Sequence, residues 1–183
     1  KGLIVLGSHF GNWEMSSVGG VAVGLDVTVI ARRIYYRRYN DFLVSIRESK
    51  GVKTLYRDEK NILRKSLQVL RSNNVLGIVP DQDVDSVDGI FVDFFGKPAY
   101  TPTGPVIMAM LSGAPMLPTF MIRENGKFRL FAEEPIYVKN SGDRKQDIIG
   151  YTRRWSNVVE KFIRRYPSQW VWMHKRWKSK PHE

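Results

Sequence analysis

Leu3-Ile4-Val5-Leu6-Gly7-Ser8-His9-Phe10-Gly11-Asn12-Trp13-Glu14 begins as an apolar run, passes through a Gly-Asn turn and ends on an acid suited to a helix's first turn. Leu3 to Ser8 reads as a buried strand, with a helix starting near Trp13 or Glu14. The same rhythm continues downstream. Val27 to Ala31 is a second strand. Phe42, Leu43 and Ile46 fall at helical spacing between Arg38 and Lys50, before Gly51 stops the helix. Val52 to Tyr56 reads as a third strand. Ile62, Leu63, Ser66, Leu67 and Leu70 share one helical face, and Val75 to Val79 is a fourth strand closed by Pro80. Repeated β–α units predict an α/β fold whose largely parallel central sheet is flanked by helices.

After a loop, Thr103 to Leu111 reads as an apolar helix. Met116–Ile122 and Lys127–Phe131 flank Asn125-Gly126, a strong signal for a β-hairpin late in the chain. Ile148, Tyr151, Trp155, Val158, Val159, Phe162 and Ile163 form the apolar stripe of a long last helix that ends before Pro167. No repeat or low-complexity linker divides residues 1–183, so the expectation is a single domain.

The 183 residues are 43% hydrophobic and 26% charged, an ordinary globular balance. No run approaches the roughly 18 to 20 apolar residues of a membrane-spanning helix. No signal peptide is legible, and the absence of cysteine removes disulfides and thiolate chemistry. Lys and Arg number 29 against 18 Asp and Glu, a net charge of +11 that calls for an anionic partner. Neither a DNA-reading helix nor an aromatic RNA platform is present, which argues against nucleic acid.

Two clusters suit lipid headgroups. Arg32, Arg33, Arg37 and Arg38 lie among Tyr35, Tyr36 and Tyr39. Trp170, Trp172, Lys175, Arg176 and Trp177 form a second aromatic-basic group.

His9 and Glu14 are the sharpest chemical pair. On one continuous helix five residues would leave their side chains about 140° apart. A strand ending at His9, a turn and a helix starting at Glu14 instead allow the carboxylate to meet the imidazole. Such a partner fixes the tautomer and stabilises the imidazolium of a general base. Asp81 and Asp83 follow the fourth strand; alone, their D-x-D spacing admits a metal reading, but two carboxylates without a third ligand are thin support for one. Thr101, Thr103 and Gly104 form a hydroxyl-rich turn leading into a helix whose free N–H groups suit a phosphate.

His9 to Glu14 resembles the H-x4-D/E signature of glycerolipid and lipid A acyltransferases, in the form of the lipid A lauroyl/myristoyl branch. Three further segments resemble that branch in the same order: Ile46-Arg47-Glu48-Ser49-Lys50-Gly51; then Val79-Pro80-Asp81-Gln82-Asp83 with Val92 to Gly96 and Thr101 to Gly104; and Pro167 to Trp177. The resemblance covers essentially the whole chain. It implies a fatty acyl chain passed from an acyl carrier protein thioester to a hydroxyl of a lipid A precursor or related saccharide lipid. His9 would be the general base, supported by Glu14, and Arg47 would bind a phosphate or a developing oxyanion. Asp81 and Asp83 would form part of the active-site wall, and Asn12 joins Arg47 and the Thr101–Gly104 turn among the substrate contacts.

The resemblance further implies no metal, no cofactor beyond the thioester co-substrate, and work in lipopolysaccharide biosynthesis. The place implied is the cytoplasmic face of a bacterial inner membrane, reached peripherally or through an anchoring region outside these residues. The acidic carrier protein and anionic membrane lipid are the expected partners of the positive charge. A lysophospholipid or another glycolipid is the alternative acceptor. A basic membrane- or nucleic-acid-binding module is the alternative outside enzymology. An esterase is disfavoured by the missing G-x-S-x-G.

Overall fold

The computed structural model describes residues 1–181. Six strands form the main sheet: β1 (Leu3–Leu6), β2 (Val27–Ala31), β3 (Lys53–Tyr56), β4 (Val75–Ile78), β7 (Met116–Glu124) and β8 (Lys127–Ala132). Their order is β3-β2-β4-β1-β7-β8, parallel throughout except that β8 runs antiparallel to β7. The helices are α1 (Glu14–Ala22), α2 (Arg37–Ser49), α3 (Ile62–Arg71), α4 (Gly104–Ser112) and α5 (Arg144–Arg165). Among the described residues no helix is long and apolar enough to cross a membrane. The expected α/β architecture is the observed one.

Side chains alternate across β1, so its two faces feed two cores. Ile4 and Leu6 join the larger core with Leu76, Phe120, Trp155 and Phe162. Leu3 and Val5 pack instead on the smaller one around Val27, Val52 and Val75. The α5 stripe read from the sequence supplies Trp155, Val159, Phe162 and Ile163 to the large core, all nearly without exposed surface. Asp143 caps that helix, accepting from the N–H groups of Lys145 and Gln146 at 3.0 Å each. The β7–β8 turn follows the Asn-Gly rule, with φ of 50° at Asn125 and 75° at Gly126.

The stretch read as a loop before α4 is a second hairpin, β5 (Gly89–Phe94) with β6 (Lys97–Pro102). Its turn is Phe95-Gly96, both at positive φ. A phenylalanine rarely occupies that region, so the primed turn carries no ordinary sequence signal. The hairpin forms its own two-stranded sheet, which contacts α5.

Candidate active site

The connection leaving β1 runs outward to β2, whereas the one leaving β4 passes beyond β1 to β7. In open α/β sheets the crevice at the carboxyl ends of such diverging strands is the usual ligand position. His9 and Asp81 stand there. The β1–β4 register pairs Leu6 with Ile78, and three further steps along each strand bring His9 level with Asp81. His9 Nδ1 lies 2.5 Å from Asp81 Oδ1. Oδ2 accepts from Ser8 Oγ at 2.6 Å, the His9 backbone N–H at 2.8 Å and Trp170 Nε1 at 2.9 Å.

Asp81 has only 1% of its side chain exposed. Burial alone would raise its pKa, but the His9 hydrogen bond and charge, with the Ser8 and Trp170 donors, outweigh burial and hold it well below the usual carboxylate range. An ionised carboxylate can only accept, so the proton between the two groups belongs to Nδ1 and the lone pair of His9 sits on Nε2. The Gln82 amide nitrogen is 3.1 Å from Nε2, the position of a donor to that lone pair.

Glu14 takes a different partner from the one expected. Its carboxylate grips Arg47 in two hydrogen bonds, Nε to Oε2 at 2.8 Å and Nη2 to Oε1 at 2.5 Å. This corrects the reading of Glu14 as the carboxylate on His9: a helix start five residues on faces the neighbouring helix α2, while the strand register delivers Asp81 to the imidazole. The Glu14 hydrogen bond raises the Arg47 pKa, against the opposing effect of burial. Among the described residues Arg47 Nη1 has no hydrogen-bond partner. Trp13, between the two pairs in sequence, sets its ring edge against His9 with centroids 4.8 Å apart. Asn12 is half-buried in the same turn.

The C-terminal segment braces this turn. Val171 N–H donates to His9 O at 3.0 Å, and Gly11 N–H donates to Gln169 O at 2.9 Å. Gly11 is at φ 51°, and a Cβ there would run into the Met121 carbonyl oxygen. Only glycine fits that bend.

Several expected contacts lie inside the protein. Trp170 is 3% exposed and Arg176 2% exposed, which corrects their assignment to a headgroup surface. Arg176 donates to the Tyr100 carbonyl at 2.5 Å and to Thr101 Oγ1 at 2.6 Å, with its guanidinium over Phe94. Burial pushes its pKa down to about 10, leaving it charged at neutral pH. Thr101 is buried and bound to Arg176, and Thr103 donates to the Asp88 carbonyl at 3.2 Å. These two threonines brace the β5–β6 hairpin rather than open onto the crevice, while Gly104 begins α4. Asp83 accepts from the Ser179 N–H and hydroxyl at 2.7 and 2.8 Å, so Asp81 and Asp83 serve different partners.

Trp177 is half-buried with its ring 5.9 Å from Phe94, whereas Trp172 and Lys175 are exposed. Arg32, Arg33, Arg37 and Arg38 are all exposed. Arg33 pairs with Asp58 at 3.2 Å and Arg37 with Asp41 at 3.4 Å.

Two further residues at the site stand outside the expected catalytic and substrate contacts. Gln82 lay unremarked between the two flagged aspartates. His174 faces His9 across 6.1 Å between ring centroids and packs on Trp170. Both of its ring nitrogens are buried without a hydrogen-bond partner among the described residues. Burial lowers its pKa, and the neighbouring His9 and Arg176 act in the same direction, against Asp81.

Residues 1–179 match the family model described as bacterial lipid A biosynthesis acyltransferase. The lipid A biosynthesis palmitoleoyltransferase of Escherichia coli (strain K12) is 30% identical over 99% of this chain and 57% of its own. The lipid A biosynthesis lauroyltransferase of the same organism is 30% identical over 99% of this chain and 58% of its own. A phosphatidylinositol mannoside acyltransferase of Mycobacterium tuberculosis (strain ATCC 25618 / H37Rv) is 29% identical over 96% and 54%. The chain thus spans a little over half the length of these relatives. With the match running through all four motif segments, this chain belongs to the bacterial lipid A biosynthesis acyltransferase family.

Proposed function

We propose that this chain is the catalytic domain of an O-acyltransferase that moves a fatty acyl group from an acyl carrier protein thioester to a hydroxyl of a lipid A precursor. The His9–Asp81 pair carries the reading: an imidazole with a defined tautomer, its free nitrogen at the carboxyl edge of the sheet. The acceptor hydroxyl replaces Gln82 at Nε2 and gives up its proton there as its oxygen attacks the thioester carbonyl. The C–O bond forms, the tetrahedral oxyanion collapses and the C–S bond breaks. The imidazolium then returns the proton to the departing thiolate. A positioned base contributes typically about 10²- to 10⁴-fold.

Asp81 supports the imidazolium while Glu14 acts one step removed, holding Arg47 for a phosphate of donor or acceptor. The relatives' names support a lipid or glycolipid acceptor, with phosphatidylinositol mannoside as the alternative to lipid A. The setting proposed is the cytoplasmic face of the bacterial inner membrane, with the positively charged surface receiving the acidic carrier.

Acyl transfer followed by mass spectrometry tests this, using a set of acyl carrier protein thioesters and a panel of hydroxylated lipids in detergent. One acceptor should gain a single acyl mass, and His9→Ala should lower the rate at least about a hundredfold. Equal rates for the variant and wild type would remove His9 from the mechanism. Thioester hydrolysis without any acylated lipid would point to an esterase.

A further inference from the structure

Helix α2 half-buries Leu43 and Val44 but leaves three large apolar residues exposed. Tyr39, Phe42 and Ile46 are 66%, 61% and 42% exposed, and Tyr35, just before the helix, is 92% exposed. Within α2 the spacing of three and four residues puts Tyr39, Phe42 and Ile46 on one helical stripe, and Tyr35 adds an exposed ring in the extended segment before it. A second face holds α2 in place: Asn40 donates to the Tyr56 hydroxyl at 2.8 Å, and Arg47 is clamped by Glu14. No residue of α2 is fully buried. Contiguous exposed apolar surface of this kind marks an interaction site.

Charge identifies the partner. Of the arginines flanking the stripe, Arg33 and Arg37 are paired with Asp58 and Asp41. Arg32 and Arg38 are exposed and have no acidic partner among the described residues. Tyrosine rings beside free cations on an apolar stripe match the layered chemistry of a headgroup boundary, where rings sit between water and acyl chains and cations meet phosphates. The segment from Arg32 to Tyr36 follows β2, and so lies at the same carboxyl edge of the parallel sheet as His9 and Asp81.

We infer that the α2 stripe Tyr39–Phe42–Ile46, with Tyr35, Arg32 and Arg38 about its start, seats the protein on an anionic lipid bilayer. The N-terminal end of α2 lies at the same carboxyl edge of the sheet as His9, so docking there brings that edge near the membrane surface. The inference deepens the acyltransferase reading by naming the surface through which the site meets lipid, yet its test needs no turnover.

The test is flotation of the chain with vesicles of phosphatidylglycerol and phosphatidylethanolamine, beside vesicles of phosphatidylcholine alone. Tyr39→Ser/Phe42→Ser should weaken binding to the anionic vesicles at least about tenfold. Arg32→Ala/Arg38→Ala should weaken it about 10- to 30-fold and abolish the preference for anionic over zwitterionic vesicles. All four positions are exposed, and unchanged thermal unfolding confirms that folding is intact. Flotation of either double variant at wild-type level overturns the inference. So does loss of carrier-protein binding or of self-association in the stripe variant while vesicle binding persists, since the occupant is then a protein.

Discussion

His9 and Asp81 are 72 residues apart in sequence, yet Nδ1 and Oδ1 lie 2.5 Å apart because β1 and β4 are neighbours in register. Asp81→Asn removes the ionised acceptor and with it the preference for the proton on Nδ1. The expected result is a fall in kcat of about 10³- to 10⁴-fold with little change in KM. Steady-state kinetics on the acylated lipid checks this. A kcat within tenfold of wild type would show that the carboxylate is structural.

Glu14 and Arg47 should behave as one unit. Glu14→Gln and Arg47→Gln are each expected to raise KM, with the double variant no worse than the weaker single. In a double-mutant cycle of stability their coupling should be about 1 kcal/mol, the partial exposure of Glu14 screening the pair. Additive effects on KM would separate their roles.

Gly11→Ala is predicted to be destabilising out of proportion to one methyl group. The new Cβ meets the Met121 carbonyl, and φ 51° disfavours any L side chain. About 2 kcal/mol or more should be lost, read from the midpoint of urea unfolding. Gly126→Ala, at φ 75° in open space, should cost less.

His174 gives stability a pH dependence with a fixed sign. Its pKa is lower in the folded protein than in the unfolded chain, so the unfolded chain binds more protons between that lowered value and about 6.5. Stability should therefore fall as pH is taken below about 6.5. Urea midpoints at pH 7.5 and 5.5 should differ less in His174→Gln than in wild type. Asp81, also depressed, acts in the same direction in a separate, more acidic window, because its stabilising charge is lost only on strong acidification.

The sheet was legible because its signals are local. Apolar runs such as Leu3–Leu6 and Val75–Ile78 declare strands, Asn125-Gly126 declares its turn, and the α5 stripe declares its buried face. The identity of His9's partner was not local. Reading along the chain offered Glu14 five residues away, whereas the partner is fixed by a strand register that β–α crossovers hide from any short window. Trp170 and Arg176 show a second limit. An aromatic-basic composition describes a membrane surface and a buried brace equally well, and only burial distinguishes Trp172 from Trp170. The β5–β6 hairpin escaped notice because its turn uses Phe95 where a small residue is expected.

The strap formed by Gln169, Trp170 and Val171 has a consequence for biosynthesis. It supplies one of the donors to Asp81 and closes the backbone around His9, although His9 is among the first residues of this sequence to be made. During synthesis the frame of His9 is therefore complete only once Trp170 and Val171 have been made and have folded back onto it. A nascent chain that has not yet reached Trp170 would carry the histidine without the finished frame around it.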